Sequence, residues 1–225
     1  MTQPIIVVGY EGRMAQSTQN ILKKRGRPYL VFSPKAPKEL SASHFQNAYG
    51  VIDFSSPEVS QRVLKQCVQD SAPLVCGTTG FGSETARQKI FFEASKKIPI
   101  VLDSNFSVGI ELLAQAAESL ATHLSDEFLI TDIHHRHKVD SPSGTSIKLE
   151  ARILGAKPIL KIQHHSARLG ENPGEHRVRI EFGQESLEFR HQAYSREVFS
   201  EGALKALEWL RGKEPGIYSM REVLS

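Results

Sequence analysis

The chain has 225 residues, enough to bury a substantial core as one large domain or two small ones, and its 40% hydrophobic and 24% charged content is that of a folded globular protein. A formal net charge of +3 without any block of like charge argues against a nucleic-acid partner. No basic stretch leads into a long apolar run, so neither a signal peptide nor a membrane span is expected, and the cytoplasm is the expected compartment.

In chain order, "PIIVVGY" (4–10) is a short continuous apolar run, the pattern of a parallel strand covered on both faces. "GRMAQSTQNILKKR" then reads as a helix, its basic end suited to a helix C-terminus. "PYLVFS" (28–33) and "VIDFS" (51–55) are further strands, and the stretch 34–49 between them carries no assignment. "PEVSQRVLKQCVQD" opens a helix with Pro57, "APLVCGTTG" (72–80) runs a strand into a glycine-flanked turn, "SETARQKIFFEASKK" is helical, and "IPIVLDSNF" (98–106) is one more strand. This alternation predicts an α/β fold with a Rossmann-like, doubly wound parallel sheet. Cys67 and Cys76 sit in apolar surroundings and read as buried thiols in preference to a disulfide.

The second half changes character. After the helix "SVGIELLAQAAESLATHL" (107–124), long alternating strands follow: "EFLITDIHHRHK", "KPILKIQHHSARLG", and a hairpin of "HRVRIEF" and "SLEFRHQAY" joined across Gly183 to Glu185. A short helix, "TSIKLEARILG", interrupts them and is expected to close at Gly155. The chain returns to a helix in "REVFSEGALKALEWLRG" and ends in "YSMREVL". The expected organisation is a dinucleotide-binding domain of residues 1–106 and 196–225, with an α+β substrate-binding and oligomerisation domain of residues 107–195 inserted, its sheet mixed or antiparallel. So strand-rich a domain with few helices leaves a sheet face or edge for a partner.

Two stretches carry chemistry. In "VVGYEGRM", Gly9 and Gly12 stand three apart at a strand-to-helix turn, with Ala15 where a third glycine would complete a dinucleotide fingerprint. Glu11 opposes a phosphate there unless its side chain points away. The second strand ends in Ser33, Pro34 and Lys35 without the acid that meets a free ribose, which suits a 2′-phosphate and hence NADPH, or else marks a solvated loop. The ends "GTTGF" (77–81) and "DSNF" (103–106) reach the same edge of the sheet, where open parallel sheets bind ligands. "HHRHKVDSPSGTS" (134–146) crowds His134, His135, His137 and Lys138 ahead of a helix start. Zinc ligands, incidental surface histidines, and acid–base with anion-binding groups are the competing readings. No cysteine or carboxylate with ligand spacing supports the first. A histidine beside a fixed cation and a Ser-Gly-Thr helix start suits the third, with Asp140 and Pro142 shaping the turn.

That stretch resembles the signature of the 4-hydroxy-tetrahydrodipicolinate reductase family, historically called dihydrodipicolinate reductases. "GYEGRM", "VIDFSSPE", "CGTTGF", "SNFSVG", "HQAYSREVFSEGALKALEWL" and "GIYSMREVL" are similar to that family's segments in its order. The chain departs from it at Asp132-Ile133, where Glu and a small residue are usual, in the short segment after the second strand, and at Ala15. The resemblance implies reduction of a cyclic imine dicarboxylate with NADPH or NADH in diaminopimelate and lysine biosynthesis, by a homotetramer built through the second-domain sheets. It implies His134 as proton donor, Lys138 as essential cation, His135 touching the substrate, and Gly144 with Thr145 binding a substrate carboxylate. On the cofactor side it implies Gly9, Tyr10, Glu11, Gly12, Arg13 and Met14, then Gly77, Thr78 and Thr79, then Asp103, Ser104, Asn105 and Phe106, with Ser33 near the ribose. No metal is called for. Two other classes stay open: a nicotinamide oxidoreductase of another amino or sugar acid, which has no need of "HHRHK" before "SGT", and a silent nucleotide sensor, which would lose the proton donor.

Overall fold

The computed structural model describes residues 3–33, 42–124 and 127–225. The chain divides into two compact units, one of residues 1–106 and 197–225, the other of residues 107–196.

The first unit is a parallel six-stranded sheet. β1 (Ile5–Val8), β2 (Tyr29–Phe32), β3 (Gly50–Asp53), β4 (Leu74–Cys76), β5 (Pro99–Leu102) and β10 (Gly216–Tyr218) lie in the order β10-β5-β4-β3-β1-β2. Every residue of β1, β3 and β4 is buried, which explains why these strands read as continuous apolar runs without alternation. Helices α1 (Arg13–Lys24), α2 (Ala42–Gln46), α3 (Pro57–Asp70), α4 (Glu84–Ser95), α7 (Glu197–Trp209) and α8 (Met220–Val223) belong to the same unit. Ile6, Val8, Val51, Leu74 and Ile100 pack with Val63, Leu64 and Phe91 into one core cluster. The small side chains of α7 fit it against α1: Ser200 Oγ lies 3.0 Å from Ser17 Oγ and 3.2 Å from Thr18 Oγ1. Both cysteines are buried free thiols. Burial, then the Asp53 charge, pushes Cys76 up to about 12 and Cys67 well above its ordinary value, so neither is a nucleophile.

The chain crosses β1 between laying down β2 and β3, so the sheet reverses its winding direction at the β1/β3 boundary. Ligands of open parallel sheets bind at such a point, beyond the carboxyl ends of the strands.

The second unit holds α5 (Val108–His123), β6 (Glu127–His134), α6 (Gly144–Ala156), β7 (Ile162–Arg168), β8 (Glu175–Phe182) and β9 (Glu185–Gln192). Its sheet has the order β7-β6-β8-β9; β6 pairs parallel with β7 and antiparallel with β8, so it is mixed. Period-two alternation sorts its faces. Phe128, Ile130, Val178, Ile180 and Phe189 pack with Ile110, Leu113, Leu149 and Ile153 of α5 and α6. The opposite face carries Thr131, Arg177, Arg179, Glu188 and Arg190, and Glu175 accepts hydrogen bonds from Arg177 at 2.5 Å and Arg190 at 2.8 Å.

Two expectations need correction. α6 does not close at Gly155 but runs to Ala156 and is capped at Lys157, because Gly155 is held in the helix with open space around it and needs no left-handed turn. "GIY", unassigned in sequence, is the edge strand β10, three residues being too few to show a period.

Candidate active site

Within the first unit, the β1–α1 turn is shaped for close approach of a ligand. Gly9 has φ +103°, and a Cβ there would lie 3.2 Å from the Ala15 Cβ and 3.3 Å from the Phe54 carbonyl oxygen. Ala15 therefore packs beneath the turn, filling the place of a third glycine. Gly12 is the N-cap of α1, with no side-chain cap and no acid in the first turn. That end of the helix thus offers backbone N–H groups to an anion. Tyr10, Glu11 and Arg13 are exposed and Met14 is half-buried. Half-buried Ser33 follows β2; Pro34 and Lys35 lie outside the described residues.

The ends of the neighbouring strands are fixed by buried polar groups. Asp53 closes β3 fully buried, accepting from the Ser55 N–H at 3.0 Å and the Ser55 hydroxyl at 2.5 Å; burial pushes its carboxyl up, against those bonds. Thr78, also buried, accepts from the same Ser55 N–H at 3.0 Å, while Thr79 is exposed. Gly77 leaves no room for a side chain: its Cβ would fall 2.2 Å from Phe54 Cε1 and 3.0 Å from Phe106 Cε2. Asp103 accepts from the N–H groups of Ser104 (2.7 Å), Asn105 (3.1 Å) and Met220 (3.1 Å), so the carboxylate shapes the loop that carries Phe106. Arg87 of α4, 3% exposed, donates to the carbonyls of Cys76 (3.0 Å) and Asp103 (2.8 Å), tying the ends of β4 and β5 together. A glycine cradle that a Cβ would fill, an uncapped helix start and three pinned strand ends fit a dinucleotide.

In the second unit, β6 brings the opening of the histidine stretch onto the inner, helix-facing side of the sheet. Asp132 and His134 continue the buried series Phe128 and Ile130. Register places Ser166 of β7 and His176 of β8 on either side of Asp132, and Arg168 beside His134. Asp132 Oδ1 lies 2.9 Å from His134 Nδ1 and 2.9 Å from Arg168 Nη1. Oδ2 accepts from Ser166 Oγ (2.6 Å), Ser146 Oγ (3.2 Å) and the Ser143 N–H (3.3 Å). Burial alone would push the Asp132 carboxyl up; these hydrogen bonds outweigh it and bring it down to about 2. Burial pushes His134 below its ordinary value, with the Asp132 bond opposing and the Lys138 charge reinforcing the shift. His176, packed edge-on at 5.0 Å from the His134 ring, is driven down to about 3 by burial and the His134 charge, and is neutral at physiological pH.

The strand ends at His134, so the remaining basic groups lie in the following turn. His135 is half-buried, while His137 is exposed and 4.0 Å from Glu171. Asp140 joins Lys138 to the start of α6: its Oδ1 lies 2.8 Å from Lys138 Nζ, and its Oδ2 accepts from the Gly144 N–H at 3.2 Å. Ser143 caps α6 by accepting from the Ser146 N–H, and a Cβ on Gly144 would meet nothing within 4 Å, so that helix start opens onto free space. Thr145 follows it, half-buried. Among the described residues no group of three or more His, Cys, Asp or Glu side chains is placed to hold a metal.

Residues 3–106 match the family model "Dihydrodipicolinate reductase, N-terminus", and residues 109–224 match its C-terminal counterpart. The chain belongs to the dihydrodipicolinate reductase family. It is 34% identical over 218 residues to the 4-hydroxy-tetrahydrodipicolinate reductase of Bdellovibrio bacteriovorus, covering 97% of this chain and 94% of that protein. Against the enzyme of the same name from Akkermansia muciniphila it is 35% identical, covering 98% and 97%. A dipicolinate-bound dihydrodipicolinate reductase from Paenisporosarcina shares the fold at a TM-score of 0.80 and 20% identity, covering 97% of this chain and 98% of that one. As a dihydrodipicolinate reductase the chain is an oxidoreductase that reduces 4-hydroxy-tetrahydrodipicolinate with a nicotinamide cofactor, in diaminopimelate and lysine biosynthesis. The nucleotide sensor and the reductase of another acid fall away.

Three polar residues around His134 received no role in the sequence reading. Asp132 carried a usable signal, since it lies two residues before His134 on a strand and so shares its face. Ser166 and Arg168 carried none, because a parallel register 34 residues away in sequence brings them there.

Proposed function

We propose that His134 is the proton donor of this reduction, that Lys138 with Gly144, Thr145 and His135 holds the substrate, and that the first unit holds the cofactor. The observation that carries this reading is a buried imidazole, fixed by a buried carboxylate, at the open end of a helix beside a lysine. The nicotinamide, when bound, supplies a hydride. Loss of the substrate's 4-hydroxyl as water gives a conjugated imine; hydride addition to that imine leaves negative charge at the far end of the π-system, and a positioned acid must protonate it there. His134 Nε2 is that acid, because Nδ1 is committed to Asp132. Lys138 and the N–H groups at the start of α6 match a doubly charged substrate, and Asp140 holds two of them in place beforehand. On the cofactor side, Gly9 to Met14, Gly77 to Thr79, Asp103 to Phe106 and Ser33 would hold the dinucleotide, the open start of α1 suiting its pyrophosphate. The test mixes purified protein with NADPH and enzymatically generated substrate. Absorbance at the nicotinamide band falls if the reading holds, and a steady absorbance overturns it.

NADPH is expected to bind at least as well as NADH. No acid stands in "VFSPK" to accept ribose hydroxyls or repel a 2′-phosphate, and Ser33 and Lys35 offer a hydroxyl and a cation. Dissociation constants for both cofactors at two salt concentrations decide this. An electrostatic preference for NADPH shrinks as salt rises, whereas a salt-independent preference for NADH rules the loop's part out.

The oligomer is a homotetramer through the second-unit sheet, whose outer face carries paired Arg and Glu side chains. Light scattering at micromolar concentration is expected to give four times the chain mass; a monomer contradicts it. Among the described residues no helix is long and apolar enough to cross a membrane, and the cytoplasm is the proposed compartment.

A further inference from the structure

We propose that Asp132 is a positioning residue of the reaction, its carboxylate holding His134 by Nδ1 so that Nε2 is the nitrogen that carries and releases the proton. The proposal rests on His134 being the donor, and it adds a residue to which neither the sequence reading nor the family signature gave a task.

The geometry supports a positioning role over a merely structural one. A carboxylate can orient an imidazole only if it cannot itself turn. Asp132, 1% exposed, is held at Oδ2 by Ser166, Ser146 and the Ser143 N–H, and at Oδ1 by Arg168 as well as His134. Four donors other than His134 thus fix the acceptor, and they come from β7, α6 with its cap, and β7 again. The imidazole is not needed to satisfy the carboxylate, whereas the carboxylate is what fixes the imidazole.

The charges around His134 point the same way. Lys138 faces it from the turn after β6, Arg168 from β7 and neutral His176 from β8, while the Gly174 backbone lies toward Nε2. Two of these groups are cations, both disfavouring an imidazolium, and burial adds to them. Asp132 is the anion that opposes all three. Its negative charge keeps a protonated donor accessible near neutral pH, and its hydrogen bond selects the Nδ1–H form when the ring is neutral. Arg168 has the opposite sign of effect on the same ring. It draws on the same oxygen, Oδ1, and adds a positive charge.

The test is the titration of His134 followed by long-range proton–nitrogen NMR of the full-length protein, alongside pH profiles of kcat and KM. In Asp132→Asn the His134 pKa is expected to fall by about one unit or more. Each unit leaves about tenfold less protonated donor at neutral pH, so kcat falls about as much at pH 7 and the gap to wild type closes on acidification. KM for the substrate stays near its wild-type value. Arg168→Met, the second variant, is expected to move the same pKa upward, and it keeps the proposal testable should Asp132→Asn fail to fold. An unmoved His134 pKa in either variant, or shifts in the same direction in both, overturns the proposal, because loss of a structural bond has no reason to change sign. Shifted spectra with an unmoved rate profile uphold the coupling but overturn His134 as the donor, so the two failures are distinguishable.

Discussion

His134→Ala lowers turnover by roughly two to four orders of magnitude, the range that a positioned general acid supplies. At about 1.4 kcal/mol for each tenfold change, that is roughly 3 to 5 kcal/mol of barrier. The effect is confined to the proton, because the truncation leaves the surroundings standing. Asp132 keeps Arg168, Ser166, Ser146 and the Ser143 N–H, so no unpaired buried charge is created. The pH profile carries the signature. With the imidazolium as the proposed donor, its contribution is present below the His134 pKa and lost as pH rises through it. Burial has moved that pKa below the ordinary histidine value, which places the fall of kcat/KM on the acid side of the range for a free histidine. The alanine variant loses this limb and its residual rate is flat across it. His135→Ala, by contrast, mainly raises the substrate KM. Near-normal turnover in His134→Ala would move the donor role to Lys138, the cation whose charge already reaches the ring.

The fold was legible where local pattern and final environment agree. Unbroken apolar runs in β1, β3 and β4 report strands buried on both faces, and the alternation of "HRVRIEF" and "SLEFRHQAY" reports a hairpin with one covered face. In the candidate site only the basic and small residues were legible, because they are crowded into residues 134–146. What holds them in place comes from elsewhere in the chain. Ser166 and Arg168 reach Asp132 through the β6–β7 register, and nothing local in "QHHSAR" announces it. Arg87 reads in sequence as an ordinary helix cation. Only the fold shows it buried, with its guanidinium on the carbonyls that end β4 and β5. Buried polar groups of this kind obey hydrogen-bond satisfaction, a rule of tertiary structure that leaves no periodic trace.

Gly202→Ala is the substitution expected to damage the first unit most. Glycine inside an α-helix normally costs up to about 1 kcal/mol relative to alanine, so propensity alone predicts a gain. Packing reverses the sign. A Cβ on Gly202 would lie 1.7 Å from the Phe106 carbonyl oxygen and 2.8 Å from its carbonyl carbon, both backbone atoms that no rotamer change can move aside. Either α7 or the loop from Asp103 to Phe106 must shift, and that loop is held by Asp103 hydrogen bonds to Ser104, Asn105 and Met220. Overpacking of this kind costs about 1 to 3 kcal/mol and more where backbone is displaced, enough to lower the thermal midpoint by roughly 2 to 12 °C for a chain of this size. Because Phe106 ends a segment proposed to hold the cofactor, affinity for the nicotinamide cofactor is expected to fall with it. Gly155→Ala is the matched control: it is also helical, but its Cβ meets nothing within 4 Å. There the propensity gain stands alone, and the midpoint holds or rises slightly. A Gly202→Ala protein that melts at or above the wild-type temperature would show that α7 does not approach the Phe106 backbone this closely, and with it would go the steric reason for a glycine at that position.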